Sequence, residues 1–422
     1  MSRPRAAIVA TGSELVRGDR EDRNGPFLAA EALRLGLEPV RITIVGDAPA
    51  ELEAALREAF AADLCLVSGG LGPTHDDRTV ELVARAAGRD LVVDPALEEE
   101  IAAVSRAIAA RLGRPFADFA PGVRKQATLP AGAIPLGLAG TAPGLVLDLE
   151  RSVVVVLPGP PRELRRLWPR ALETAPVRRV LARAPARTRR ALRFFGTPES
   201  AVAPGRGRPG GGGGVEVTIC AREYEIHVDI DALPEHAARA DALAAALRAE
   251  LGAYLFAEDE RSVAEIVLDR CRERMYTLAT AESCTGGLVA ARLTSVPGAS
   301  DVYLGGVVAY ANAVKASELG VPQDVLERHG AVSAETARAM AQGARERLGA
   351  DVAVAVTGIA GPGGGSEEKP VGLVFVHAVS PEGEDGQRSE LPGDRAMVRG
   401  RATALALHLV RRLLAQSRHT QG

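Results

Sequence analysis

The 422 residues exceed what one hydrophobic core serves, so two or three domains are expected. With 51 basic against 54 acidic residues the net charge is −3, which gives no global reason for a nucleic-acid or anionic-membrane partner. The composition, 46% hydrophobic, is that of a globular chain; no apolar run reaches membrane-span length, and Cys65, Cys220, Cys271 and Cys284 are too scattered for a disulfide framework or a structural zinc site. Aromatic residues make up only 3%, so the cores must be built from Val, Leu, Ile and Ala. The opening Met-Ser-Arg-Pro-Arg runs into a strand with no signal-peptide h-region, and a reduced, cytoplasmic setting is expected.

In chain order, the first third alternates strand 6–10, helix 25–35 stopped by Gly36, strand 38–45, helix 51–61 and strand 63–68. A late strand, 152–157, runs into Pro-Gly-Pro-Pro. That alternation predicts an α/β domain whose parallel sheet is covered by helices. Loops at the carboxyl ends of its strands carry Thr11 and Glu14, then Gly69, Gly70, Gly72, Thr74, Asp76 and Asp77, then Pro158-Gly-Pro-Pro161. Open α/β sheets bind ligands at that edge. Close glycines admit a phosphate, and Asp76 with Asp77 offers oxygen ligands to a divalent cation; the plainer reading is a tight turn with an Asp N-cap. No Rossmann or Walker fingerprint is present.

From Arg162 to Arg193 eleven arginines stand against two glutamates, read as a solvated helix face. Glycines 210–214 predict a flexible loop. Strands 215–220 and 225–230 with helix 236–251 predict a small α+β domain. A helix opens at Ser262 with Glu265 three residues on, the capping-box pattern. Strands 276–280, 302–310, 351–356 and 371–379 and a closing helix, 396–416, predict a second α/β domain. The expected domains are 1–172, 173–257 and 258–418.

Ala-Glu-Ser-Cys-Thr-Gly-Gly at 281–287 lies between a strand and an amphipathic helix, which places Ser283 and Cys284 at a helix N-terminus. Ser283 needs a base at neutral pH. Lys315 can serve when burial lowers its pKa, and Asn312 as an N-cap would set Lys315 on a first helical turn whose positive end further disfavours its charge. Tyr310 can relay a proton or orient the substrate. The N–H groups of Thr285, Gly286 and Gly287 are candidate oxyanion donors. Together these describe a serine amidohydrolase with an amine base. Taken singly, Ser283 and Thr285 read as helix caps and Lys315 as a surface residue. Cys284 is the rival nucleophile, with His329 or His377 as its partner. Arg395 and Arg399, at i and i+4, share a helix face that can grip a phosphate or lie in solvent.

The series Ala-Glu-Ser-Cys-Thr-Gly-Gly, Tyr-x-Asn-x-x-Lys (310–315) and Val-Thr-Gly-Ile-Ala-Gly-Pro (356–362) resembles the C-terminal domain of the CinA family. The resemblance implies deamidation of nicotinamide mononucleotide to nicotinate mononucleotide and ammonia, with no cofactor. Ser283 would be the nucleophile, Lys315 its base and Tyr310 the assisting hydroxyl. Asn312, Thr357 and Gly358 would lie in the pocket, with Arg395 and Arg399 near the ribose phosphate. Thr-Gly-Ser-Glu-Leu (11–15), Ser-Gly-Gly-Leu-Gly-Pro-Thr-His-Asp-Asp (68–77), Gly-Thr-Ala-Pro-Gly (140–144) and Leu-Pro-Gly-Pro-Pro (157–161) resemble the family's molybdopterin-binding-like N-terminal domain. That likeness implies metal-dependent hydrolysis of ADP-ribose, with Glu14, Asp76 and Asp77 as the acidic groups and magnesium or a similar divalent cation. A homodimer is implied as well. Two departures, Asp22-Arg23-Asn24 for the usual Asp-Thr-Asn and Gly137 for an asparagine, favour the alternative of a non-catalytic pterin- or nucleotide-binding scaffold. A nucleic-acid role would rest on the arginine-rich stretch and the family's competence name, against the acidity of the rest of the chain.

Overall fold

The computed structural model describes residues 3–202 and 214–416. The chain forms two compact units, Met1–Arg187 and Thr188–Gly422. The glycine-rich run at 203–213 lies outside the described residues.

The first unit is built on a six-stranded sheet in the order 38–45, 5–11, 64–68, 153–157, 143–148, 134–138. The first four strands are parallel, as the alternation predicts. The last two are antiparallel, because the chain returns through a tight turn closed by Leu149 N–H donating to the Ser152 carbonyl (2.9 Å), too short for a helical crossover. Ala7, Val9, Cys65, Val67, Val154 and Val156 pack against one helical layer, and Ala6, Ile8, Leu64, Leu66, Val153 and Val155 against the other. Burial on both faces is why these strands read as unbroken apolar runs, each large side chain contributing about 1.5–3 kcal/mol. The helix Ala175–Leu181 belongs here rather than to a middle domain starting at 173, since Val177 and Val180 complete the second layer.

The second unit holds two sheets. A four-stranded antiparallel sheet, ordered 215–222, 225–232, 188–194, 255–257, packs on the helix Ala237–Leu251. Its strand Thr188–Phe194 falls inside the arginine-rich stretch, so the expectation of a helix face fails there. Arg189 and Arg193 pair with Asp229 on the neighbouring strand, and Arg190 pairs with Asp241.

The other sheet, ordered 303–308, 278–282, 352–358, 373–380, 383–390, is parallel in its first three strands and antiparallel in the last two. Ala279, Ala281, Ala353 and Ala355 face the helix Ala334–Leu348, while Val352, Val354 and Val356 face the layer holding Val263–Arg274 and Arg395–Gln416. The capping box forms as expected, with Glu265 N–H donating to Ser262 Oγ (3.3 Å) and Ser262 N–H to Glu265 Oε2 (2.7 Å). Among the described residues no helix is long and apolar enough to cross a membrane.

One polar cluster is buried in this unit. His408, on the last helix, stacks on Phe195 with centroids 3.8 Å apart, and its Nε2 lies 2.9 Å from Glu225 Oε1. Arg292 Nη2 approaches the same carboxylate at 3.3 Å. Burial opposes the charge on Glu225, but hydrogen bonds from His227 and His408 and the Arg292 charge outweigh it and hold the group below 4.5. Burial also pushes His408 below 6.5. The unfolded chain therefore binds a proton at His408 that the folded chain resists, so stability falls as pH drops from 6.5 through the lowered folded value, and Glu225 adds a further loss below 4.5. We expect the urea midpoint to decline below pH 6.5 and His408→Gln, which cannot titrate, to flatten the upper part of that decline. An identical profile in the variant contradicts this assignment.

Candidate active site

The strand Leu278–Glu282 ends where Ser283 N–H donates its last ladder bond to the Val356 carbonyl (2.9 Å). Gly286 and Gly287 follow with φ of +61° and +96°, a left-handed pair that residues with side chains resist, and the chain bends into the helix Leu288–Thr294. Glu282, 1% exposed, anchors the bend: its carboxylate accepts from the N–H groups of Gly287 (2.9 Å), Val289 (3.0 Å) and Ala290 (2.9 Å). Gly286 N–H donates to the Ser283 carbonyl (3.1 Å). The glycine amides expected to meet an oxyanion are thus engaged, and among the described residues the N–H groups of Cys284 and Thr285 meet no backbone carbonyl or carboxylate. Sequence reasoning passed over Glu282, although a carboxylate just ahead of a helix start is a readable signal.

Lys315 sits in the helix Asn312–Leu319 and is 1% exposed. Its Nζ lies 3.1 Å from Ser283 Oγ, 2.7 Å from the Ala309 carbonyl and 3.2 Å from the Tyr310 carbonyl. As an ammonium Lys315 donates to all three; as a neutral amine, with two N–H bonds and one lone pair, it would donate to the two carbonyls and turn the lone pair to the serine hydroxyl. No carboxylate pairs with it among the described residues, and burial pushes its pKa below 10.5, the nearby Cys284 opposing that shift. Ala311, not Asn312, holds the N-cap position; Asn312 is the exposed first residue of the helix.

Arg399 does not wait for a phosphate as expected. Its Nε donates to the Cys284 carbonyl (3.1 Å) and its Nη2 to the Thr285 carbonyl (2.8 Å), which clamps the nucleophile turn. Arg395 is exposed and bridges the Gly361 carbonyl (2.8 Å) and the exposed Tyr310 hydroxyl (2.9 Å). Thr357 is fully buried near the end of its strand and donates to the Ala331 carbonyl (2.7 Å), which ties the strand to a loop. Gly358 is paired with Val374, where a Cβ would lie 2.7 Å from the Leu373 carbonyl. Cys284 is buried, which pushes its thiol up to about 11, while His377 is engaged by Glu384 (3.1 Å) and His329 lies 3.6 Å from Glu335. The thiolate alternative has no support in this arrangement.

In the first unit, Thr11, Glu14, Arg23, Asn24 and Ser68 line a cavity of about 660 Å³. Asn24, 8% exposed, donates to Ser68 Oγ (2.8 Å) and the Gly159 carbonyl (2.7 Å), and its Oδ1 is buried with no partner among the described residues. Gly70, Gly72 and Asp77 line a separate cavity of about 220 Å³. A Cβ on Gly69 would lie 2.4 Å from the Thr11 carbonyl, so that glycine serves the close approach of two loops. Thr74 donates to Asp77 through both N–H (3.1 Å) and hydroxyl. Asp76 is exposed, with His75 Nδ1 3.9 Å from its Oδ1. Among the described residues no three metal-ligating side chains converge, and this donor set does not fit a divalent cation held by the protein itself.

Comparison with known proteins agrees with this division. The family described as CinA C-terminal domain matches residues 260–414, and the family described as probable molybdopterin binding domain matches residues 7–176. A CinA-like protein of Mycolicibacterium paratuberculosis is 46% identical over 98% of this chain and 99% of its own length. The CinA-like protein of Mycobacterium tuberculosis H37Rv is also 46% identical, over 97% of each. The crystal structure of competence/damage inducible protein CihA from Agrobacterium tumefaciens is 39% identical, covering 38% of this chain and 100% of that one, with a TM-score of 0.36.

Replacing Glu282 by Gln removes the ionic acceptor of three amide donors, and we expect a loss of about 2–3 kcal/mol in unfolding free energy. Urea denaturation measures it, and an unmoved midpoint contradicts the anchoring role.

Proposed function

The chain belongs to the CinA family, and on that premise we propose that its C-terminal part hydrolyses the carboxamide of nicotinamide mononucleotide to give nicotinate mononucleotide and ammonia. The observation that carries this reading is the buried Lys315 Nζ to Ser283 Oγ contact of 3.1 Å. Lys315 takes the hydroxyl proton as Oγ attacks the amide carbon, and the new C–O bond leaves an oxyanion within reach of the Cys284 and Thr285 amides. The lysine ammonium returns that proton to the departing nitrogen, the C–N bond breaks and ammonia leaves. Water, deprotonated by the same amine, then releases the acid from the serine ester. Arg395, exposed and bonded to Tyr310, supplies the cation for the nucleotide phosphate, and Asn312 is exposed two residues after Tyr310. No cofactor enters these steps. The family resemblance extends the reading to a cytoplasmic homodimer.

A second reading concerns the N-terminal part. The unpartnered Asn24 Oδ1 in a cavity of about 660 Å³ favours binding of a nucleotide- or pterin-sized ligand that donates a hydrogen bond there. ADP-ribose is the ligand to try. Calorimetry is expected to show heat of binding in wild type that Asn24→Leu abolishes. Release of AMP and ribose phosphate in the presence of magnesium would restore the pyrophosphatase reading, and absence of binding removes both.

For the amidase, ammonia release from nicotinamide mononucleotide is expected to fall by about 10³-fold or more in Ser283→Ala and Lys315→Ala. Cys284→Ala keeps activity near wild type. Lys315→Arg gives no rescue, because a guanidinium stays protonated. Because burial lowers the Lys315 pKa, kcat should rise with pH through a value below 10.5 and then level off. Well-folded wild-type protein that releases no ammonia would overturn the assignment.

A further inference from the structure

The tip of the hairpin formed by Val215–Arg222 and Glu225–Ala232 has a conformation its residues do not favour. Arg222 and Glu225 are the last paired positions, so Glu223 and Tyr224 alone make the turn. Their φ angles are +52° and +67°, the left-handed pair for which Asn-Gly is the usual choice. Glu223 and Tyr224 reach outside the hairpin. Glu223 Oε2 is 2.8 Å from Arg292 Nη2, which also approaches Glu225. Arg292 belongs to Leu288–Thr294, the helix that continues from the Ser283 turn. The Tyr224 ring lies over Gly400, where a Cβ would come within 2.3 Å of it, and the Arg401 guanidinium sits 5.6 Å from the ring centroid. Gly400 immediately follows Arg399, whose guanidinium holds the carbonyls of Cys284 and Thr285. Glu225 reaches the same helix further along, at His408.

We propose that the Glu223-Tyr224-Glu225 tip is a positioning element for the amidase reaction: it grips the two helices that hold the nucleophile turn and so sets the placement of Ser283 against Lys315. The inference rests on the serine–lysine reading of that site. Tyr224 touches no reacting atom and acts through Gly400 and Arg399. A displacement of about 1 Å at a nucleophile can lower a rate by about 10²-fold, so loosening this grip shows in kcat rather than in binding.

The test uses the full chain and four variants, Tyr224→Ala, Tyr224→Phe, Gly400→Ala and the double variant Tyr224→Ala/Gly400→Ala. Three measurements are made on each: kcat and KM for ammonia release, the labelling rate of Ser283 by a fluorophosphonate read by intact mass, and the thermal midpoint. Tyr224→Ala is expected to lower kcat and labelling by about tenfold with KM little changed. Tyr224→Phe keeps the ring and restores both. Gly400→Ala, whose methyl displaces the ring, falls with Tyr224→Ala, and the double variant is no worse than either. Wild-type activity and labelling in a folded Tyr224→Ala protein overturn the proposal, as does a loss that tracks the thermal midpoint alone. Labelling without ammonia release in wild type sinks the nucleotide substrate, while the labelling series still decides the positioning role.

Discussion

The chemistry proposed for the second unit depends on holding one lysine amine out of water. Lys315 has no carboxylate beside it among the described residues; its Nζ meets two backbone carbonyls and one hydroxyl. An ammonium donates to all three, whereas a neutral amine donates to the two carbonyls and keeps a lone pair for Ser283. Burial without a counter-ion opposes protonation, and a lysine that is neutral in the working range is a base. The same property makes Lys315 a liability to the fold. An unfolded chain would protonate it, so stability is reduced below 10.5, increasingly as pH falls to the lowered folded value.

Such a base is useful only when the serine is held still. Ser283 lies between a strand whose last ladder bond it makes and a helix whose first amides are taken by Glu282. Arg399 grips the turn from the other side through two carbonyls. A carboxylate on the amides and a guanidinium on the carbonyls fix opposite polarities of one short loop. Arg399 therefore contributes to geometry, and Arg395 is left as the exposed cation near Tyr310. The small antiparallel sheet reaches the same two helices through its hairpin tip, which joins a structural appendage to the reactive turn.

Much of this was legible in the sequence, for stated reasons. Parallel strands buried on both faces produce unbroken Val and Ala runs, so the strands before Ser283 and Thr357 and the strand 153–157 were readable. Ser283 and Lys315 were readable because a hydroxyl after such a strand and an amine on the next helix stand out chemically. The strand Gly383–Glu390 was not, since an edge strand rich in charge and glycine carries no apolar period. Thr188–Phe194 was masked by arginines whose aspartate partners, Asp229 and Asp241, lie far away in the chain. Long-range pairing also explains why the contacts of Arg399 and Thr357 were not readable: each has an ordinary-looking side chain whose hydrogen-bond acceptor is set only by the fold. Asp76 and Asp77 illustrate the reverse, an acidic pair suggestive in sequence that the fold leaves without converging ligands.

The chain contains three lysines, Lys125, Lys315 and Lys369, which makes their side-chain resonances few enough to assign by single substitution. The most direct test of the central claim is a pH titration of protein carrying ¹³C-labelled lysine side chains, followed at the Cε carbons. The account predicts that the Lys315 signal titrates at a pH below the ordinary 10.5 and that Ser283→Ala perturbs it, since the hydroxyl faces its lone pair. A Lys315 signal that stays protonated up to 10.5 or beyond, and is indifferent to Ser283→Ala, would contradict the role of this amine as the base.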